Sequence, residues 1–194
     1  MYASAELFKL QGFSGTGMKQ IVDSAQAPFG SVYHFFPGGK DQLGDEVIRW
    51  SGRMYLELFY AIFDAAADPA AAVRDFFLGA AEVLRQTDWA DACPIATIAL
   101  EVANTNEPLR QATADVFQSW IDGATERYVG VGVDPGQARE LVTNFICMLE
   151  GAFILCRAMR TTAPLESAGE AAYQAAVAVV PKRSRSGSRS RRRA

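Results

Sequence analysis

An all-α fold of about nine helices is predicted by three features of the chain. Long segments rich in Ala, Leu, Glu, Gln and Met lie between short polar breaks, strand-like alternation is scarce, and capping residues followed by proline recur where segments begin. With 194 residues, 49% of them apolar and 11% aromatic, the chain can bury a sizeable core, which excludes wholesale disorder.

Taken in order, the first helix spans Tyr2 to Gln11, turns Ala5, Leu7 and Phe8 inward and stops at Gly12. Thr16 is placed to cap a short helix from Gly17 to Ala25, with Met18, Ile21 and Val22 on its apolar face. Pro28 opens a second short helix to about Phe36, and Pro37-Gly38-Gly39 is a turn. A long helix is predicted from Asp41 to about Phe63. Asp68-Pro69 starts a helix to Arg85, Cys93-Pro94 one to Ala103, Glu107-Pro108 one to about Tyr128, and Asp134-Pro135 one to about Arg160. The last runs from Ser167 to Val180.

Residue counts narrow the chemistry. His34 is the single histidine, so multi-histidine metal sites are excluded and a Ser-His-Asp triad would have to run through that position. The three cysteines, Cys93, Cys147 and Cys156, are odd in number and lack metal-type spacing, which argues against a disulfide framework. On one helix, Cys147 and Cys156 fall on opposite faces. Reduced, buried thiols are expected, and nothing in the pattern supports a redox role for Cys93. Asp88 and Asp91, flanking Trp89, are the nearest approach to a carboxylate pair and read as a solvated loop. No catalytic residue, metal site or cofactor is predicted. The longest strongly apolar stretch, 144–159, contains Glu150 and is too short to cross a bilayer. A cytoplasmic location without membrane contact is expected.

The net charge of −3 averages two unlike parts. Residues 182–194, KRSRSGSRSRRRA, carry seven basic side chains and no acidic one, which leaves the rest of the chain at −10. The tail at 181–194 is low-complexity and expected to be disordered. A solvated tail, a non-specific tether to DNA and a contact with another acidic partner all remain open for it.

Residues 17–36 have the proportions of a helix-turn-helix, two short helices around a break at Gln26-Ala27-Pro28. The stretch ELFKLQGFSGTGMKQIVDSAQAPFGSVYHFFPGGKDQL resembles the N-terminal segment of TetR/AcrR-family transcriptional regulators. The shared features are Ala5-Glu6-Leu7-Phe8, the Gly12-Phe13 step, Thr16, Gly30-Ser31-Val32-Tyr33-His34-Phe35-Phe36 and Lys40. The PGGK turn and ACPIATIALE (92–101) resemble the LmrA/YxaF-like subgroup.

The resemblance implies a DNA-binding domain at 1–45 and an effector-binding and dimerisation domain at 46–180. Candidate DNA-binding residues are Thr16, Lys19, Pro28, Phe29, Gly30, Ser31, Tyr33, His34 and Lys40. Small residues at the start of a recognition helix let its backbone approach the groove, while Tyr33, His34 and Lys40 can donate to phosphates. Phe29 occupies a slot that is commonly Lys in the family; it either meets a thymine methyl or packs back on the core. Val32, Phe35 and Phe36 read as packing. Two departures stand out. Gln26 replaces the family's usual glycine, which puts a non-glycine residue at positive φ. The chain also begins at Met1-Tyr2, inside the first helix and without a basic arm, so a start upstream of Met1 is expected. Residues 1–50 hold four basic and five acidic side chains, a weak electrostatic footprint for DNA.

By the same resemblance, Phe59, Phe63, Phe77, Trp89, Cys93, Phe117, Trp120, Phe145 and Met148 are candidates for an apolar effector pocket, with Phe76 and Phe153 among the aromatics nearby. The segment 141–159 is apolar on nearly every face and predicts a helix buried all round. Either it is internal, or it packs one side on its own core and the other on a partner. In the second case Phe153, Ile154, Ala172 and Ala176 are the candidate dimer contacts. The leading expectation is a homodimeric repressor released from a pseudo-palindromic, double-stranded operator by a small apolar effector. The alternative is a helical ligand-binding dimer that no longer reads DNA.

Overall fold

A computed structural model of the chain describes residues 1–181; the expectation of a disordered tail at 182–194 lies outside the described residues. Among the described residues there are nine helices and no strand. They are α1 (Tyr2–Gln11), α2 (Met18–Ser24), α3 (Phe29–Phe35), α4 (Gly39–Ala65), α5 (Pro69–Gln86), α6 (Pro94–Val102), α7 (Glu107–Gly130), α8 (Pro135–Met159) and α9 (Ala163–Val179).

The helix starts follow local chemistry. Asp68 accepts from the amides of Ala70 and Ala71, and Asp134 from those of Gly136 and Gln137. Asn106 accepts from Leu109 N. In each case a proline sits in the first turn, where no amide donor is required. Cys93 Sγ performs the same service for Ala96 N at 3.4 Å. Two starts differ from expectation. The long α4 begins at Gly39, helped by Gln42 Oε1, which accepts from Gly38 N. The last helix begins at Ala163 rather than Ser167, because Pro164 suits a first turn and Leu165 is fully buried.

Thr16 does not cap α2. It is 1% exposed, and its hydroxyl donates back to Gly12 O at 2.7 Å, while Gly17 takes the cap position with no side-chain bond. The hydroxyl thus locks the α1–α2 corner and is turned away from any phosphate. Gln26 sits at φ 51, the strained position expected of it.

Apolar residues form two cores. The first joins Ala5, Phe8, Phe13, Ile21, Leu43, Val47 and Ile48 to Ile95 and Ile98 of α6 and to Leu109, Ala112 and Val116 of α7. The second holds Phe63, Phe77, Leu84, Tyr128, Leu141, Phe145, Cys156 and Leu165. Helix α4, about 40 Å long at 1.5 Å per residue, runs through both and packs along α7. Gly52 permits that approach, since a β-carbon there would strike Val116, and its carbonyl accepts from Trp120 Nε1 at 2.8 Å.

The α8 helix is not buried all round. Leu141, Val142, Phe145, Ala152 and Cys156 face the core, whereas Ile154, Leu155 and Met159 are 61%, 52% and 62% exposed. Cys147 is exposed as well, against the expectation of three buried thiols. At 25 residues α8 is longer than its apolar stretch suggested, and by length and composition alone it suffices to cross a bilayer; its inward face is instead committed to the core.

Candidate nucleic-acid interface and ligand cavity

The helices α2 and α3 project a largely polar face. Lys19, Pro28, Gly30, Tyr33 and His34 are exposed, and Ser31 is half-buried with its hydroxyl donating to Pro28 O at 2.6 Å. A β-carbon added at Gly30 would meet nothing within 4 Å, so the start of α3 is open to close approach from outside. Phe29 opens α3, but its side chain lies outside the described part. Val32 packs inward as expected, and Phe36 is half-buried on the first core. Phe35 does not pack: it is 68% exposed, its ring 5.2 Å from that of His34. A seven-residue helix offers only one narrow buried face, and Val32 occupies it.

The cations of this region are unevenly committed. Lys9 pairs with Glu6 at 3.1 Å and Asp91 at 2.6 Å, and Arg49 with Asp45 and Asp115 at 3.1 and 3.0 Å. Lys40 lies 4.4 Å over the Phe13 ring, where burial lowers its pKa. Lys19 and Lys40 are therefore the two lysines of the first fifty residues left to face a phosphate.

A cavity of about 480 Å³ opens between α4, α5, α7 and α8. Phe59, Phe77, Cys93, Trp120 and Phe145 line it, as do Phe76 and Phe153. Four expected residues lie elsewhere. Phe63 packs edge-on against Tyr128 in the second core, and Phe117 edge-on against Trp120 outside the cavity wall. Met148 and Trp89 pack against the second core, Trp89 from a loop position at φ 65. Apolar character marks these residues as packed against a core but carries no information about which side of a wall they face.

Of the cavity's polar end, the sequence marks Cys93 alone as a pocket residue. There Lys9 of α1, Tyr55 of α4, Asp91 and Cys93 of the α5–α6 loop and Glu150 of α8 meet the lining. Asp91 is not part of a solvated loop; its side chain is 13% exposed. Burial pulls the Lys9 pKa down, but the bonds to Asp91 and Glu6 prevail and hold it above its ordinary value. Burial raises Glu150, against the thiol of Cys93, which donates to its carboxylate. Burial and the neighbouring Glu150 push the Cys93 thiol well up, and Tyr55 is raised by burial too. A thiol held protonated in this way is a poor redox sensor. A smaller cavity of about 280 Å³ shares Lys9, Tyr55 and Leu58 with the first and reaches Tyr2 and Ala5 of α1.

Of the expected dimer contacts, Ile154 is exposed and Phe153 is half-buried in the cavity wall. Ala172 and Ala176 are 0% exposed, in the second core where α9 packs on α5 and α8. Their small side chains serve close approach within the chain, and no second chain can touch them.

Residues 1–47 match the family described as bacterial regulatory proteins, tetR family. Residues 69–171 match the family described as transcriptional regulator LmrA/YxaF-like, C-terminal domain. The chain is 33% identical over 165 residues to the HTH-type transcriptional regulator YxaF of Bacillus subtilis (strain 168), covering 85% of this chain and 86% of that one. It is 31% identical over 163 residues to the HTH-type transcriptional regulator LmrA of the same strain, covering 84% and 87%. In fold it is similar to the crystal structure of regulatory protein TetR from Rhodobacter sphaeroides, with a TM-score of 0.78 and 22% identity over 90% of this chain and 95% of that one. These relatives are transcriptional regulators and not enzymes.

Proposed function

The chain belongs to the TetR family of DNA-binding transcriptional regulators, and from that premise we propose that it is a homodimeric repressor released from its operator by a small, mostly apolar effector. Residues 1–45 are the reading head, and residues 46–180 bind effector and partner. The observation that carries this reading is that the reading head contributes one side chain, Lys9, to the cavity wall. That lysine is tied to Asp91, a second lining residue, at 2.6 Å. A ligand that alters this wall therefore acts on α1 directly, and through it on α2 and α3.

In the dimer, the exposed stripe of Ile154, Leu155 and Met159 on α8 faces its copy, since contiguous apolar surface of this kind marks an interaction site. Two recognition helices then enter successive major grooves about 34 Å apart. Gly30 gives α3 its close approach, while Lys19, Tyr33, His34 and Lys40 fix register on the phosphates. The effector favours a spacing of the heads that the operator does not accept, and the coupling is its differential affinity for the two states. The protein works in the cytoplasm, where its DNA is.

The test is a footprint on the DNA beside the protein's own gene. A protected pseudo-palindrome that disappears with Tyr33→Ala, in a variant whose melting is unchanged, supports the reading. The short supply of outward cations favours one rival, a ligand-binding dimer that no longer reads DNA. Absence of protection at any salt concentration would overturn the repressor reading.

A further inference from the structure

Resting on the reading of the large cavity as the effector site, we infer that Glu150 makes it a receptor for a cation: an effector with an aromatic or aliphatic body and one protonated amine. The charges in the lining decide the sign. Lys9 is already satisfied by Asp91 at 2.6 Å and Glu6 at 3.1 Å. Glu150 has no such partner; among the described residues no Lys, Arg or His lies within ion-pairing distance of it, and its bond is to the neutral thiol of Cys93. Lys9, Asp91 and Glu150 are the charged residues that line the cavity, so the wall carries one surplus negative charge once Glu150 is ionised.

A carboxylate that shares the lining of a cavity of about 480 Å³ with Phe153, Leu149 and Trp120 is poorly solvated, and an unpaired charge in such a place is costly. A ligand ammonium relieves that cost while its body fills the apolar remainder. An anionic ligand adds to the cost, and a neutral one leaves it. The Glu150 pKa is raised by burial, which penalises its charged form, and this fits the same physics. Tyr55, Cys93, Lys9 and Asp91 are the other titratable groups at this end. Tyr55 and Cys93 are held neutral by burial, and Lys9 and Asp91 cancel each other. The Cys93 thiol is thus a donor in the subsite and not a nucleophile.

The experiment is calorimetric titration of the full chain with three probes on one ring system: naphthylethylamine, naphthylethanol and naphthylacetate. The amine is expected to bind roughly tenfold more tightly than the alcohol, with the carboxylate weakest. Its affinity should rise with pH as Glu150 ionises, while that of the alcohol stays flat. Glu150→Gln should bring amine and alcohol to within about twofold of each other. If that variant does not melt cooperatively, the three-probe order and its pH dependence in the native protein decide alone. Equal binding of amine and alcohol, or a preference for the carboxylate, overturns the cation subsite and leaves the cavity as the effector site. No binding by any of the three overturns the effector reading itself, and this inference with it.

Discussion

Gln26 holds the turn between α2 and α3 at φ 51, where a side chain costs on the order of 1 kcal/mol relative to glycine. Gln26→Gly should therefore raise the melting temperature by roughly 2–4 °C in a chain of this size, followed by circular dichroism. An unchanged or lower value would mean that the side chain is compensated elsewhere. Glu150 makes an opposite prediction that depends on pH. Its folded pKa lies above the ordinary 4.5 because of burial, so folding favours the protonated form. That contribution is complete below 4.5 and is lost as pH rises through the folded value. The melting temperature of the wild type should fall relative to that of Glu150→Gln over this window, with the widest gap near neutrality. Parallel curves would show that the carboxyl is solvated. In the sequence Glu150 marks only a charge within an apolar stretch and Lys9 does not stand out, because a lone charged residue on a helix is ordinarily a solvated one.

The α8 helix shows how far an element's pattern reaches. Its apolar residues surround the helix, and the pattern alone left an internal position and a shared one open. The structure places Leu141, Phe145 and Cys156 inward and Ile154, Leu155 and Met159 outward. Ile154→Glu is the corresponding test. It should convert a dimer to a monomer in sedimentation velocity and remove the operator footprint, with a melting curve like that of the wild type at low concentration. A dimer that survives this change must use another face. The α9 helix teaches the reverse lesson. Its alanine-rich surface suggested close approach, and close approach is what the fold uses, but against α5 and α8 of the same chain.

At the scale of the whole molecule, the reading head is not an appendage. Its core includes Ile95, Ile98, Leu109 and Val116 from α6 and α7, and Ser14 N donates to Glu101 at 2.7 Å. The Lys9–Asp91 pair adds a polar joint beside the cavity. Replacing both partners, by Lys9→Met with Asp91→Asn, leaves only the half-exposed Glu6 carboxylate without its lysine. It should reduce the effect of a bound ligand on operator affinity by about tenfold, measured by titrating labelled DNA with and without ligand. If ligand releases the double variant as well as the wild type, the signal travels by α4 alone.

The amino-acid sequence by itself determined the order of the helices, the starts marked by Pro69, Pro94, Pro108 and Pro135, the helix-turn-helix within residues 17–36 and its resemblance to a family. All of these rest on contacts within a few residues of each other, which spacing encodes directly. Only the tertiary structure decided that Thr16 turns inward, that Phe35 turns outward and that Ala172 and Ala176 are internal. It also decided that Lys9, Tyr55, Asp91, Cys93 and Glu150 meet at one end of a cavity. These last groups come from four separate segments, and their environment exists only once the helices between them have packed.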